Sequence, residues 1–176
     1  MGIAWKEFAI PKTLECDEAT LKNNYGKFYA EPLERGFGAT LGNAFRRILL
    51  SSVEGTAVTS VKIEGVQHEF SSIDGVVEDL PQIILNLKRL VVRSHAVKPK
   101  PLFIKVQKKG EVTAADIISD ETVEIINPDL RIATLTKNIK FNAEMKLARG
   151  RGYVTAEKNK EEDAAIGDIA IDSIFS

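Results

Sequence analysis

Three observations predict an α+β fold for this chain. Residues Phe37–Ser51 carry apolar side chains at the spacing of an amphipathic helix. Residues Ile139–Ala148 alternate apolar and polar side chains, which is typical of a strand with one buried face. Over the whole chain, strand patterns outnumber the two helix patterns, as expected of an α+β protein.

The composition indicates one or two globular domains with a hydrophobic core, because 44% of the 176 residues are hydrophobic and 28% are charged. The formal net charge of -1 provides no global positive field for nucleic acid. The single cysteine, Cys16, excludes an intramolecular disulfide and fits a reducing compartment. With neither a signal peptide nor an apolar run long enough to span a membrane, the sequence predicts a soluble intracellular protein.

Two short strands are expected before the helix. Residues 3–15 carry apolar side chains around Pro11 and predict an interrupted strand, and Lys27–Leu33 alternates in the manner of a second strand. We expect the two strands to pair antiparallel and to deliver the chain to the helix.

The helix Phe37–Ser51 would be about 22 Å long. Gly38 and Gly42 each cost about 1 kcal/mol of helix stability relative to alanine, and they would let another backbone approach closely. The pattern fits either ordinary packing on the same domain or a helix shared with a second protein. The apolar stripe consists of Phe37, Leu41, Ala44, Phe45, Ile48 and Leu49.

After the helix, the pattern changes to strands and one further helix. Ala57–Glu64 predicts a strand, Glu64-Gly65 a turn, and Val66–Phe70 the return strand. Ser72–Asp79 is a polar turn segment. Residues 83–91 have helical spacing, and Pro81 is harmless near the start because the first turn does not need its N–H.

The rest of the chain is predicted to consist of strands and loops. Strands are expected at Leu102–Gln107, Val112–Ala115, Thr122–Ile126, Arg131–Leu135, Ile139–Ala148 and Ile169–Phe175. Lys108-Lys109-Gly110 is predicted to be a turn, and Arg149–Tyr153 and Glu157–Asp163 are predicted to be loops.

The sequence contains no motif that supports a catalytic site or a bound cofactor. His68 and Glu69 are neighbours in a predicted strand and therefore point to opposite faces. Asp74, Glu78 and Asp79 could hold a metal ion, but a solvated acidic turn is preferred because no histidine or cysteine accompanies them at ligand spacing. Phosphate-binding loops, dinucleotide fingerprints and nucleophile elbows are all missing from the sequence.

The segment Arg149-Gly150-Arg151-Gly152-Tyr153 is the one motif that suits RNA, because arginine and tyrosine can stack on exposed bases. It is short, and the acidic residues Glu161–Asp163 follow it closely. A small nucleic-acid-binding module that uses the Arg149–Tyr153 loop is therefore the alternative function, and a surface loop that contacts protein is preferred.

Residues Glu31–Ser52 read Glu-Pro-Leu-Glu-Arg-Gly-Phe-Gly-Ala-Thr-Leu-Gly-Asn-Ala-Phe-Arg-Arg-Ile-Leu-Leu-Ser-Ser. This run closely resembles the N-terminal assembly region of the alpha subunits of bacterial-type DNA-directed RNA polymerases. The resemblance extends from Gly26 to the last residue. Later segments that also match are Gly65–Asp79, Asn86–Lys88, Val112–Asp116, Arg149–Tyr153 and Ile171–Ser176.

The resemblance implies two domains. Residues 1–52 would form the N-terminal part of a dimerisation domain, with two strands and the amphipathic helix. Residues 53–176 would form an inserted, strand-rich domain that contacts the large polymerase subunits. In this family a later segment completes the dimerisation domain, and a linker leads to a DNA-binding C-terminal domain. Neither is part of this sequence, so the resemblance implies a truncated chain.

The resemblance also implies a non-catalytic scaffold that forms a homodimer and recruits the beta and beta-prime subunits. Its place would be the bacterial cytoplasm or a plastid, with no cofactor, no metal and no direct contact to nucleic acid or membrane. Dimer or core packing is assigned to Phe37, Leu41, Phe45, Ile48 and Leu49. Contact with the beta subunit is assigned to Arg46, Arg47, His68 and Glu69, and contact with the beta-prime subunit to Lys88 and Ile171.

Overall fold

The computed structural model describes residues 9–22, 24–66, 68, 70–160 and 165–175. The chain divides into two compact units, Met1–Ile48 and Leu49–Ser176. Strands dominate and helices are few, which confirms the predicted α+β class. Within the described ranges, no helix has the length and apolar character needed to cross a membrane.

The unit Met1–Ile48 contains a short antiparallel pair of strands. Strand β1 (Glu15–Cys16) pairs with strand β2 (Phe28–Tyr29), so the predicted antiparallel arrangement is confirmed. Glu15 lies opposite Tyr29 in this register.

Both strands are shorter than predicted. Of the first predicted strand, residues 3–8 lie outside the described residues, and residues 9–14 are not in a strand. Pro11 and Pro32 lack the N–H that a paired strand donates, so neither strand is favoured to continue through its proline.

Helix α1 (Phe37–Ser51) begins and ends where the sequence predicted. Gly36 precedes it with a φ of 91°, a conformation that glycine adopts without strain. The Phe37 N–H donates to the Glu34 carbonyl at 3.0 Å. The chain therefore turns sharply into the helix at Gly36.

The unit Leu49–Ser176 is built mainly from strands. The described strands are β3 (Glu54–Ile63), β4 (Val92–Ser94), β5 (Lys100–Thr113), β6 (Ile117–Ile118), β7 (Val123–Ile125), β8 (Arg131–Arg151), β9 (Tyr153–Val154), β10 (Asp168–Ala170) and β11 (Ser173–Ile174). The described helices are α2 (Leu80–Leu87) and α3 (Ala156–Asn159), and a 3₁₀ turn (Ala114–Asp116) joins β5 to β6.

An antiparallel sheet in the order β10-β3-β8-β5-β6 forms the centre of this unit. Strand β8 is 21 residues long and pairs with β3 on one side and with β5 on the other. The predicted alternation is confirmed, because Phe141, Met145 and Leu147 are buried whereas Lys140 and Glu144 are exposed. The buried side chains define the face of the sheet that carries the core.

The core of this unit includes that face and one face of helix α2. Leu80, Ile83 and Leu87 of α2 are buried in the same apolar cluster as the inward-facing residues of the sheet. Removing such side chains from water supplies about 25 cal/mol per Å² of apolar surface. The sheet residues in this cluster include Val61, Ile63, Leu102, Ile104, Phe141, Met145, Leu147 and Ile169.

Helix α2 begins at Leu80 because Asp79 caps it. The Asp79 carboxylate accepts the Gln82 N–H at 2.9 Å. Pro81 lies in the first turn, where its missing N–H leaves no helical hydrogen bond unmade. The helix ends at Leu87, before the predicted end at residue 91. Leu90 is nevertheless buried, so helical spacing continued past the helix into a turn that packs on the same core.

The turn predicted at Glu64-Gly65 is confirmed, with a φ of 84° at Gly65. The return strand predicted at Val66–Phe70 was wrong for Val66, His68 and Phe70, the three of its residues that the structure describes. The position beside the end of β3 is taken by β10, so a local return strand would have no edge to pair with.

The long pairing of β5 with β8 replaces several predicted segments. Lys108-Lys109-Gly110 is not a turn, because β5 continues through it with a register shift between Lys108 and Gly110. The strands predicted at Arg131–Leu135 and Ile139–Ala148 are parts of the single strand β8. A bulge at the polar residues between them accommodates the break in alternation without ending the strand.

The C-terminal predictions were correct only in part. The strand predicted at Ile169–Phe175 is divided into β10 and β11. Of the loop predicted at Glu157–Asp163, the first residues belong to the single-turn helix α3, and residues 161–163 lie outside the described residues.

The loop predicted at Arg149–Tyr153 was wrong, because β8 runs to Arg151 and β9 follows at Tyr153. The Glu54 carboxylate accepts hydrogen bonds from Arg149 at 2.8 Å and from Arg151 at 2.7 Å. The hydrogen bond from Arg151 and the charges of both arginines hold the pKa of Glu54 below its ordinary value of 4.5. Two strand arginines that share a carboxylate are poorly disposed to stack on RNA bases.

Two glycines make room for Phe175. Gly55 and Gly150 lie opposite each other on β3 and β8. A Cβ atom on Gly55 would overlap with the Phe175 carbonyl oxygen, and a Cβ atom on Gly150 would lie 2.7 Å from the Phe175 ring. The Phe175 N–H donates to the Gly152 carbonyl at 2.8 Å, which holds Phe175 against the start of β3.

We expect Gly55→Ala and Gly150→Ala each to destabilise this unit by roughly 1–3 kcal/mol, because overpacking forces neighbouring groups to move. The two clashes differ in kind, since Gly150→Ala meets a side chain and Gly55→Ala meets backbone. The decrease in the free energy of unfolding caused by Gly150→Ala should therefore be smaller in a Phe175→Leu background, whereas the decrease caused by Gly55→Ala should be unchanged. Denaturant unfolding measures both free energies. If Phe175→Leu reduced the effects of Gly150→Ala and Gly55→Ala equally, the described packing would be contradicted.

We expect Glu54 to stabilise the fold at neutral pH and to stop doing so in acid. The pKa of Glu54 is lower in the folded chain than in the unfolded chain, so its contribution is present above the unfolded pKa and is lost as the pH falls through the folded pKa. The thermal midpoint of Glu54→Gln should lie below that of the parent at neutral pH and converge on it below pH 4.5. A constant difference between the two midpoints would show that Glu54 acts through shape rather than charge.

Candidate partner-binding surfaces

Helix α1 presents its apolar residues to solvent. We call Phe37, Leu41, Phe45, Ile48 and Leu49 the α1 stripe. All five are exposed, from 38% at Leu41 to 63% at Phe45, and no residue of α1 is buried. None of the five is therefore part of the buried core of the described chain. Dimer packing stays a prediction.

The glycines of α1 face open space. A Cβ atom added at Gly38 or Gly42 would meet no neighbouring atom within 4 Å. Because residues three and four apart share a helix face, both glycines lie on the same side as Phe45 and Leu49. This side of α1 therefore combines large apolar side chains with room for a close approach.

The residues predicted to contact the beta subunit lie in different parts of the chain. Arg46 and Arg47 are exposed in the second half of α1. His68 lies in a bend, where its Nδ1 is 3.1 Å from the Ser71 hydroxyl, and that hydroxyl donates to the His68 carbonyl at 2.8 Å. These are local turn contacts. Glu69 lies outside the described residues.

The residues predicted to contact the beta-prime subunit belong to one small region. Lys88 caps the C-terminal end of α2, and its Nζ lies 3.1 Å from Asp172, the residue after Ile171. Ile171 is only 1% exposed and belongs to the core. The Ile171 side chain therefore supports this region from inside, and the groups that reach solvent are Lys88 and Asp172.

Asp172 joins two helices and was not singled out from the sequence. One carboxylate oxygen accepts the N–H of Ala156, the first residue of α3, at 2.7 Å, and the other accepts the Lys88 ammonium. The Ala156 N–H first, and then Lys88, lower the pKa of Asp172. The only signal in the sequence was a polar residue after Ile171, where strand alternation turns it outward.

The three acidic residues considered for a metal ion do not converge on one site. Asp79 caps α2, and Glu78 accepts the N–H and the hydroxyl of Thr134 at 2.6 and 2.9 Å. The Asp74 side chain is 92% exposed and lies 3.5 Å from Lys137. In the part of the chain that the structure describes, no three His, Cys, Asp or Glu side chains are arranged to hold a metal ion.

A concavity of about 330 Å³ on the solvent side of the sheet is lined by apolar atoms and by charges of both signs. Lys62 and Lys146 line it together with Glu144, and its Lys100 is paired with Asp120 at 2.5 Å. Ligand pockets are usually apolar with a few convergent polar groups. Mixed and paired charges are instead typical of a solvated sheet surface.

Comparisons with known proteins identify the family. The family model of the RNA polymerase Rpb3/RpoA insert domain matches residues 61–176. The DNA-directed RNA polymerase subunit alpha of Desulfitobacterium hafniense is 58% identical over 170 residues, which are 97% of this chain and 54% of that protein. The subunit of the same name from Symbiobacterium thermophilum is 60% identical over 154 residues, which are 88% of this chain and 49% of that protein.

A third relative, the DNA-directed RNA polymerase subunit alpha of Alkaliphilus metalliredigens, is 55% identical over 170 residues, again 97% of this chain and 54% of that protein. The chain spans about half the length of the curated relatives it matches. The insert-domain match covers most of the sheet described above, and the identities extend over nearly the whole chain. This chain therefore belongs to the family of bacterial RNA polymerase alpha subunits that carry the Rpb3/RpoA insert domain.

Proposed function

We propose that this chain acts as a non-catalytic assembly scaffold in a DNA-directed RNA polymerase. It forms a dimer through α1 and recruits a beta and a beta-prime subunit, which together supply the active site of the nucleotidyltransferase complex. It needs no cofactor and makes no direct contact with nucleic acid, and its place is the bacterial cytoplasm. The names of the bacterial relatives support the choice of complex.

The observation that carries the proposal is the exposed α1 stripe. Contiguous apolar patches on a protein surface usually mark sites of association. Burying the stripe against a second copy would supply about 25 cal/mol per Å² of apolar surface before the costs of association. Gly38 and Gly42 support the same conclusion, because a partner helix could use the open space beside them.

We place the functional boundary between residues 52 and 53. Residues 1–52 contribute to dimerisation, and residues 53–176 form the inserted domain that meets the large subunits. The insert-domain match over residues 61–176 supports the second assignment. Arg46, Arg47, His68 and Glu69 are our candidates for the beta subunit, and Lys88 and Ile171 for the beta-prime subunit.

A nucleic-acid-binding module is less well supported. Its motif would need arginines that are available to bases or phosphates, but Arg149 and Arg151 both bind Glu54. The net charge of -1 also gives no long-range attraction for a polyanion.

We expect Phe45→Ala to weaken self-association of this chain by about tenfold or more, because large aromatic residues at the centre of an interface contribute most of its energy. Phe45 is exposed in the described chain, so the thermal midpoint should not fall at concentrations where the parent is a monomer. Sedimentation velocity over a range of concentrations measures the change in dimer affinity.

Phe70→Ala is the matched control for Phe45→Ala, since Phe70 is also exposed but lies in the other unit. It should leave the dimer affinity unchanged. A parent chain that sediments as a monomer at every concentration would remove the proposed dimer interface from α1.

We expect Arg47→Ala to weaken capture of the beta subunit by about fivefold or more, because a guanidinium can bind carboxylates or carbonyls in a bidentate manner. Pull-down with purified beta subunit measures the loss, with far-ultraviolet circular dichroism to verify the fold. Arg93→Ala serves as the control, since Arg93 is an exposed arginine paired with Glu124 at 3.1 Å. Unchanged capture by Arg47→Ala would remove Arg47 from the beta-facing surface.

A further inference from the structure

We propose that Arg149 and Arg151 form a phosphate-binding site for single-stranded nucleic acid, and that the carboxylate of Glu54 occupies this site in place of a phosphate. Glu54 thereby keeps the chain from binding nucleic acid. The inference rests on the proposed function only in taking the chain to make no direct contact with nucleic acid, and it supplies a cause for that absence. It requires no partner subunit.

Strand pairing brings the three side chains together. Glu54, the first residue of β3, lies directly opposite Arg151 of β8. Residues two apart on a strand share a face, so Arg149 lies diagonally across from Glu54 on that face. One carboxylate oxygen accepts from Arg151 at 2.7 Å, and the other accepts from Arg149 at 2.8 Å. A phosphate offers oxygens to two guanidinium groups in the same way, because arginine binds carboxylates and phosphates through the same donors.

The arginine pair is open to solvent and only partly neutralised. Among the residues that the structure describes, Glu54 is the only carboxylate that pairs with either arginine. The side chains of Arg149 and Arg151 are 39% and 61% exposed, and that of Glu54 is 47% exposed. Each hydrogen bond uses one guanidinium nitrogen, so both arginines keep further N–H donors. An anion from solvent can therefore reach both cations if the carboxylate does not hold them.

A concavity of about 350 Å³ adjoins the pair and leaves room for the groups attached to a phosphate. The residues that line it include Glu54, Val91, Arg93, Ile126 and Arg149. Arg93 adds a third guanidinium to this area, and it pairs with Glu124 at 3.1 Å. Without the charge of Glu54, three arginines would face one carboxylate, and the balance of charge would favour an anion.

The residue that follows the arginines favours nucleic acid over other anions. Tyr153 comes after Arg151 with one glycine between them, and its side chain is 61% exposed. Arginine for phosphates and an aromatic ring for bases are the groups that single-stranded nucleic acid uses. The net charge of -1 gives the chain no long-range attraction for a polyanion. Binding would depend on the local charges, so one carboxylate among them has a large effect.

The first test is the affinity for a labelled oligothymidylate of about 12 nucleotides, measured by fluorescence anisotropy at low ionic strength. Glu54→Gln should bind about fivefold more tightly than the parent or better, because it removes the competing charge and keeps an oxygen for the hydrogen bonds. The gain should shrink as salt is added, since phosphate contacts release counterions. An absent gain, or a gain that salt does not change, would overturn the inference.

Glu111→Gln is the matched control, since Glu111 is a strand glutamate that pairs with Arg131 at 3.5 Å. It removes the same charge in another part of the sheet and should leave the affinity at the level of the parent. An equal gain from both substitutions would show an effect of net charge alone and would contradict the proposed site. In the Glu54→Gln background, Arg149→Ala should abolish most of the gain, whereas Arg131→Ala should not.

Binding must be compared between folded chains, because Glu54→Gln is expected to lower the thermal midpoint at neutral pH. Circular dichroism at the temperature of the binding experiment verifies the fold of each variant. Glu54→Asp is the second variant if Glu54→Gln does not fold. Its side chain is one methylene shorter and holds the two arginines less firmly, so it should also bind more tightly than the parent. A folded Glu54→Asp chain with no gain would overturn the inference.

The outcomes separate this inference from the proposed function. If neither the parent nor the folded Glu54→Gln chain binds the oligonucleotide, the phosphate site is wrong and the scaffold role stands. If the parent binds as tightly as Glu54→Gln does, Glu54 does not block the site. The proposed absence of nucleic-acid contact would then be wrong as well.

Discussion

The pairing of β8 with two neighbours at once is the constraint on which the unit Leu49–Ser176 depends. Strand β8 pairs with β5 over residues 131–147 and with β3 over residues 143–151, and its inward side chains form much of the core. A slip of one residue would turn every inward side chain outward. A register shift in β3 between Val58 and Ser60 keeps the apolar side chains on the inner face. Because of this bulge, Val58 and Val61 both face the core, opposite Leu147 and Met145.

The same core positions the residues that we propose for assembly. Ile171 and Ser173 are buried and place Asp172 between them, and buried residues of α2 place Lys88 at the end of that helix. The packed interior fixes the backbone positions of Lys88 and Asp172, so their ion pair does not depend on flexible side chains alone. The α1 stripe is the opposite case, since each of its five side chains is more than one third exposed in the described chain. We propose that this exposed helix face meets another subunit.

Much of the fold was predictable where a single segment carries its own pattern. The bounds of α1 follow from its apolar spacing, and the inward face of β8 follows from its alternation. The motif around α1 also indicated the family. The loop predicted at Arg149–Tyr153 was wrong. Its glycines and charges are typical of a loop, but pairing with β3 makes most of the segment a strand. The turn predicted at Lys108-Lys109-Gly110 was wrong for the same reason, because pairing with β8 continues β5 through these residues.

The sequence by itself determined helix α1, the start of helix α2 and the alternation of the long strand, because these depend on neighbours within a few residues. Only the tertiary structure decided which charges pair and which apolar residues stay exposed. Lys88 and Asp172 are 84 positions apart, and Glu54 and Arg151 are 97 apart. Such partners meet only when the strands have paired in register, and no local periodicity encodes that pairing.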